Sequence, residues 1–91
     1  MKGGKVVVGG ERAETLSEKA RRVLQAAVVE AYGRPGEYVT RDPVMRRVDL
    51  SEAEEFRTIA EYLEGMGWIA ETDYDYRGFV ITDAGIDAAM R

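Results

Sequence analysis

Apolar residues recur at helical spacing in the first half of the chain. Three- and four-residue steps place on one helix face Leu16, Ala20, Val23, Leu24, Ala27, Val28 and Ala31. Thr15 is the predicted N-cap, and Glu18 completes a capping box with it. Gly33 and Pro35 stop the pattern, so the sequence predicts a first helix over residues 16–32.

The opposite face of this predicted helix becomes apolar towards its C-terminal end. It carries Glu18, Arg22, Gln25 and Val29, with Ala26 at the flank. We therefore expect another segment to cover it. The candidates are the three valines at residues 6–8, the C-terminal helix and the same helix of a second subunit.

Two more helices are predicted in the middle of the chain. Asp42 as N-cap and Pro43 at the first helical position predict a short second helix that ends near Val48. Ser51 and Glu54 form a possible second capping box. Behind it lies an apolar stripe of Phe56, Ile59, Ala60 and Leu63, which predicts a third helix that ends at Gly65 or Gly67.

Two β-rich runs follow the third predicted helix. Residues 68–74 and 79–82 contain aromatic and β-branched side chains, and residues 75–78 separate them, which indicates a β-hairpin. Thr82 or Asp83 then caps a last short helix with an apolar face of Ile86, Ala89 and Met90. Residues 1–14 hold four glycines and form either a flexible lead-in or one short strand. The domain proper is predicted to span residues 15–91.

Composition limits the possible chemistry. A chain of 91 residues, 45% apolar and 33% charged, suits one globular domain. It has no cysteine and no histidine, which removes disulfides, the usual general base and the commonest transition-metal ligands. Ser17 and Ser51 are interpreted as residues that begin helices rather than as nucleophiles. We therefore expect no enzymatic activity, no catalytic residues, no metal and no cofactor.

Asp73, Asp75 and Gly78 match the opening of a calcium-binding loop. Arg77 at the fifth position and Ala84 at the twelfth break the pattern, so no calcium site is expected. No apolar run approaches the length of a membrane span, and no signal peptide is recognisable. The expected location is therefore the cytoplasm, with no membrane partner.

Charge is segregated along the chain. Residues 1–48 carry ten Lys and Arg against six Asp and Glu, whereas residues 49–76 carry one against nine. The net charge of −4 therefore hides a basic first half and a strongly acidic middle. Such asymmetry bears on partners and self-association rather than on fold.

Two motifs and the element order resemble the winged helix-turn-helix domains of transcription regulators. The motifs are Leu-Glu-Gly-Met-Gly-Trp-Ile at residues 63–69 and Phe-Val-Ile-Thr-Asp-Ala-Gly at residues 79–85. The resemblance covers about residues 16–90. It implies an α+β fold with a three-helix core, a C-terminal hairpin called the wing and a short final helix. It also implies a third helix in the DNA major groove, a wing on the phosphate backbone and, in many members, a dimer.

The residues of the third predicted helix do not suit DNA. Its outward face carries Glu54, Thr58, Glu61 and Gly65, with Arg57 and Tyr62 at the flanks. Glu54 and Glu61 are expected to engage Arg57. Since DNA affinity depends on phosphate neutralisation, this acidic face should repel it.

Two functions therefore stay open. The first is a regulator-like protein that binds nucleic acid through the basic first two helices. The nucleic-acid candidates are Arg41, Arg46, Arg47, Arg57 and Arg77, with Lys19, Arg21 and Arg22 on the first helix. The second is a protein-interaction or adaptor module that binds a basic partner or another copy of the chain. Its candidates are Glu54, Thr58, Glu61, Tyr62, Tyr74 and Tyr76, with Trp68 part of a possible aromatic patch.

Overall fold

The structure is a computed structural model that describes residues 14–91. These residues form an α+β fold of four α-helices and one three-stranded antiparallel sheet. In chain order the elements are α1 (Leu16–Glu30), β1 (Tyr38–Thr40), α2 (Arg41–Arg47), α3 (Ala53–Gly65), β2 (Ile69–Ala70), a 3₁₀ turn (Tyr74–Tyr76), β3 (Gly78–Ile81) and α4 (Asp83–Met90). The expectations for residues 1–13 lie outside the described residues.

One apolar core joins the helices to the sheet. The largest side chains that are fully buried include Phe56, Phe79, Leu24, Ile59 and Leu63. The rings of Phe56 and Phe79 stack with their centroids 6.3 Å apart, which ties α3 to β3. The apolar stripes predicted for the first and third helices therefore face the same interior.

Helix α1 begins as the sequence predicts and ends two residues early. The Thr15 side chain accepts a hydrogen bond from the Glu18 N–H, and the Glu18 carboxylate accepts one from the Thr15 N–H, so the capping box is present. At the other end Tyr32 takes the left-handed conformation, with φ of 56°, before Gly33 at 71°. The bonds Tyr32 N–H to Val29 O and Gly33 N–H to Val28 O close a Schellman motif.

The starts of α2 and α3 differ from prediction. Asp42 is not an N-cap, because the helix begins at Arg41 after Thr40, directly where β1 ends. Pro43 still lies in the first turn, where no backbone N–H is required. Ser51 and Glu54 form no capping box, since α3 begins at Ala53 after Glu52, and neither helix has a side-chain cap bond.

The sheet has one strand more than the predicted hairpin. Tyr38 pairs with Val80 and Thr40 with Gly78, so β1 lies beside β3, and β3 lies between β1 and β2. Residues Tyr38–Thr40, which lie between the first and second predicted helices, thus form an edge strand that the sequence pattern did not predict. The predicted strand over residues 68–74 shortens to Ile69–Ala70.

Helix α4 is capped by Thr82, whose side chain accepts a hydrogen bond from the Gly85 N–H. Ala88, not Met90, is its buried apolar residue, because Met90 is 78% exposed at the helix end. Ile86 and Ala89 are partly buried. The helix packs on α1, where the Gln25 amide donates to Ala89 O at 3.3 Å. It covers only part of the outer face of α1, since Val29 remains 52% exposed.

Candidate functional site

The outward face of α3 is acidic, as the helical spacing predicts. Glu54, Thr58, Glu61 and Gly65 are all exposed. The Thr58 hydroxyl donates to the backbone oxygen of Glu54 at 3.3 Å, so the helix backbone already uses this hydroxyl. The carboxylates of Glu54 and Glu61 form the negatively charged part of this face.

Arg57 is engaged on this face by two carboxylates from different elements. Its Nε lies 3.7 Å from Glu61 Oε2, and its Nη1 lies 3.9 Å from Asp75 Oδ1. The predicted pairing with Glu61 is present, whereas no ion pair joins Arg57 to Glu54 among residues 14–91. We call Glu54, Thr58, Glu61 and Asp75 the acidic face. Three carboxylates against one guanidinium leave it with a net negative charge.

The loop between β2 and β3, residues 71–77, lies against α3 and is held there by Glu64. The Tyr76 hydroxyl donates to Glu64 Oε1 at 2.6 Å, and the Thr72 hydroxyl donates to Glu64 Oε2 at 3.1 Å. The hydrogen bond to Glu64, with burial and the nearby carboxylates, raises the pKa of Tyr76 to about 12. Glu64 therefore positions the β2–β3 loop. The sequence pattern did not predict this role, because Thr72 and Tyr76 lie in a different element from Glu64.

Tyr38 anchors the same loop from β1. Its hydroxyl donates to Asp73 Oδ2 at 2.5 Å, and this hydrogen bond raises the pKa of Tyr38. The ring crosses Gly78, where an added Cβ would lie 1.8 Å from the Tyr38 hydroxyl oxygen. A side chain at this position of β3 would therefore displace the Tyr38 ring from Asp73. The sequence pattern did not predict this contact either, since it depends on the unpredicted strand β1.

Tyr74 stands at the tip of the β2–β3 loop. It is 84% exposed, and the two residues after it, Asp75 and Tyr76, have φ of 57° and 55°. These left-handed conformations turn the chain back while Glu64 and Tyr38 fix both ends of the loop. The loop thus exposes the Tyr74 ring, while the flanking Asp73 and Asp75 contact Tyr38 and Arg57.

The predicted aromatic patch does not form as one surface. Tyr62 packs edge-to-face on Trp68, with centroids 6.4 Å apart at 77°. This pair borders a groove with α1 and α4. Tyr76 is half-buried against α3, and only Tyr74 projects freely into solvent. Of the protein-interaction candidates, Tyr62 therefore lies apart from the acidic face.

Most of the basic candidates have carboxylate partners. Arg41 Nε lies 3.0 Å from Asp42 Oδ1, and Arg47 Nε lies 2.5 Å from Glu30 Oε2. On α1, ion pairs join Lys19 to Glu55 and Arg22 to Glu14. These pairs offset much of the positive charge that the sequence places on the first two helices.

Two of the predicted nucleic-acid residues come together. Arg41 and Arg77 line a polar pocket of about 340 Å³ with Thr40 and Asp42, and the Arg41 N–H donates to Arg77 O at 2.9 Å. Arg57 lies on the acidic face instead, and Arg47 lines a shallow groove with Val29. Arg46 and Arg77 have no ion pair within residues 14–91.

Over residues 14–91 there is no group of three or more acidic side chains placed to hold a metal ion. None of the helices formed by those residues has the length and apolar character that crossing a bilayer requires. Comparisons of the chain with models of protein families, with curated proteins and with solved structures give no match.

Proposed function

We propose that the chain is a non-enzymatic winged helix-turn-helix module of the transcription-regulator type, and that its acidic face binds a basic segment of a partner protein. The order of helices and strands supports the winged-helix assignment, with the β2–β3 loop in the position of the wing. The observation that carries the binding proposal is the pairing of Arg57 with Glu61 and Asp75. Within residues 14–91, this pairing occupies the one arginine that contacts these carboxylates.

Electrostatics favours a basic protein partner over DNA on this surface. Counterion release requires cations that can neutralise phosphates, and the acidic face offers carboxylates instead. A segment rich in Lys or Arg is attracted by the same charges, and such complementarity increases association rate and specificity. Tyr74 adds an exposed aromatic ring on which an arginine side chain can stack.

Calorimetry with the full chain and a short peptide rich in Arg and Lys tests this proposal. We expect the double variant Glu54→Gln, Glu61→Gln to bind about three- to tenfold more weakly, because each exposed ion pair contributes up to about 1 kcal/mol. Glu37→Gln is the matched control, since Glu37 is exposed and has no ion pair within residues 14–91. Equal weakening by both variants, or no binding of the peptide, would contradict the proposal.

A second candidate is nucleic-acid binding away from the acidic face. The observation that favours it is the meeting of Arg41 and Arg77 in one polar pocket, while Arg46, on the same helix as Arg41, has no ion pair within residues 14–91. This function predicts retention of mixed-sequence duplex DNA that falls steeply with salt. It also predicts loss of retention in the double variant Arg46→Glu, Arg47→Glu. Full retention of DNA by that variant would exclude DNA binding through Arg46 and Arg47.

A further inference from the structure

A groove on the other side of α3 contains aromatic and apolar walls with polar groups at its rim. It has a volume of about 240 Å³ and lies between α1, the C-terminal half of α3, Trp68 and α4. Within residues 14–91 its lining includes Leu24, Ala88, Tyr62, Trp68, Glu18 and Arg21. We call it the Trp68 groove.

The lining of the Trp68 groove suits an apolar or aromatic body. Leu24 and Ala88 are 1% and 5% exposed and belong to the core. Tyr62 and Trp68 meet edge-to-face and are partly buried against that core. Aromatic guests pack well beside such rings in offset or edge-to-face arrangements. The volume lies below the range of about 300–1,000 Å³ typical of drug-sized ligands, so a small guest is required.

The rim of the Trp68 groove carries two hydrogen-bond donors, from Arg21 and Tyr62, and one carboxylate, from Glu18. Arg21 forms no ion pair within residues 14–91, whereas Lys19 and Arg22 on the same helix are paired with Glu55 and Glu14. The Tyr62 hydroxyl likewise has no hydrogen bond to another described residue. Both groups are donors. The carboxylate at the rim, Glu18, already accepts the Thr15 N–H at 2.8 Å in the capping box.

We propose that the Trp68 groove binds a small carboxylic acid with an aromatic or aliphatic body. The body packs against the Tyr62–Trp68 pair, and the carboxylate accepts hydrogen bonds from Arg21. Pockets of this kind combine mostly apolar walls with a few polar groups that orient the ligand. This site is separate from the acidic face, so its existence does not depend on the function proposed above.

Amide and indole NMR spectra of the full chain test this proposal, because Trp68 is the single tryptophan. We expect benzoate and octanoate to shift the Trp68 indole signal in a saturable way. Arg21→Gln should weaken both by about three- to fivefold, because Arg21 is exposed and an ion pair at an exposed site is weak. Benzyl alcohol, which lacks the charge, should bind both proteins equally. Arg34→Gln is the matched control for loss of an exposed arginine and should leave benzoate binding unchanged.

Three results would overturn the proposal. The first is the absence of a saturable Trp68 shift at millimolar benzoate and octanoate. The second is equal carboxylate binding by the wild-type chain and Arg21→Gln, which would show that Arg21 plays no part. The third is nuclear Overhauser contact between the Trp68 indole and the methyl groups of residues 6–8 in the free protein, which would mean that the chain itself fills the groove.

Discussion

Two glycines within helices have surroundings that predict opposite effects of the same substitution. A Cβ added at Gly85 would lie 2.1 Å from Trp68 O and 3.0 Å from Ile81 Cγ2, so α4 approaches the sheet closely only because this residue has no side chain. At Gly65 nothing lies within 4 Å of an added Cβ. Helix propensity favours alanine at both positions, and packing decides the sign of the effect.

We expect Gly65→Ala to stabilise the fold by up to about 1 kcal/mol, because alanine loses less backbone entropy in a helix. Gly85→Ala should destabilise it by about 1–3 kcal/mol, the usual cost of overpacking. Chemical denaturation of both variants measures the free energy of unfolding. A gain in stability for Gly85→Ala would show that α4 does not pack as described.

The hydrogen bond between Tyr76 and Glu64 gives a pH dependence with a definite sign. Folding raises the pKa of Tyr76 from 10.0 to about 12, so the bond stabilises the fold fully below pH 10. That contribution is lost as the pH rises through 12. Carbon-13 spectra of the tyrosine ring can follow the titration of the folded protein, with the urea-unfolded chain as reference.

Glu64→Gln is the matching variant for this titration. A hydrogen bond to the neutral amide is weaker than one to the carboxylate, and the amide does not repel the phenolate, so the pKa of Tyr76 should fall towards its ordinary value. Titration of Tyr76 near pH 10 in the wild-type folded protein would contradict the anchoring of the β2–β3 loop on α3.

At the scale of elements, the helix starts show which local rules hold. Thr15 caps α1 with a complete capping box, whereas Ser51 lies two residues before the first residue of α3 and makes no cap bond. We expect Thr15→Ala to cost about 1 kcal/mol of unfolding free energy, and Ser51→Ala to cost less than about 0.5 kcal/mol. Thermal and urea unfolding of the two variants measure the difference. Equal losses would mean that Ser51 does cap α3.

Sequence patterns predicted the features that depend on nearby residues. The apolar stripe of α3, the capping box at Thr15 and the Thr82 cap all follow from residues within one or two helical turns. Strand β1 was not predicted, because residues Tyr38–Thr40 form a strand only by pairing with β3, about 40 residues later in the chain. The start of α2 was wrong for the same reason, since that helix begins where this pairing ends.

The contacts of the candidate site were less predictable than the fold. The exposure of Glu54 and Glu61 follows from helical spacing alone. The contacts of Arg57 with Asp75, Glu64 with Tyr76 and Tyr38 with Asp73 join different elements, so no local pattern contains them. The pairing of Arg47 with Glu30 likewise joins two helices and removes a cation that the sequence leaves free.

At the scale of the whole molecule, the segregated charge separates two kinds of surface. The acidic middle of the chain forms α3 and the β2–β3 loop, and its single arginine is paired there. Many cations of the first half are paired with carboxylates of that half or of α3. Within residues 14–91 a polyanion therefore meets fewer free cations than the sequence suggests, whereas a basic segment meets an exposed acidic face.

The most direct test of this account is a map of amide shifts in the full chain during two separate titrations. One adds the peptide rich in Arg and Lys, and the other adds a mixed-sequence DNA duplex at low salt. The account predicts that the peptide shifts signals of Ala53–Gly65 and of residues 71–77, and that the duplex leaves those signals in place. Shifts of α3 signals by the duplex, or peptide shifts confined to α1 and α2, would contradict it.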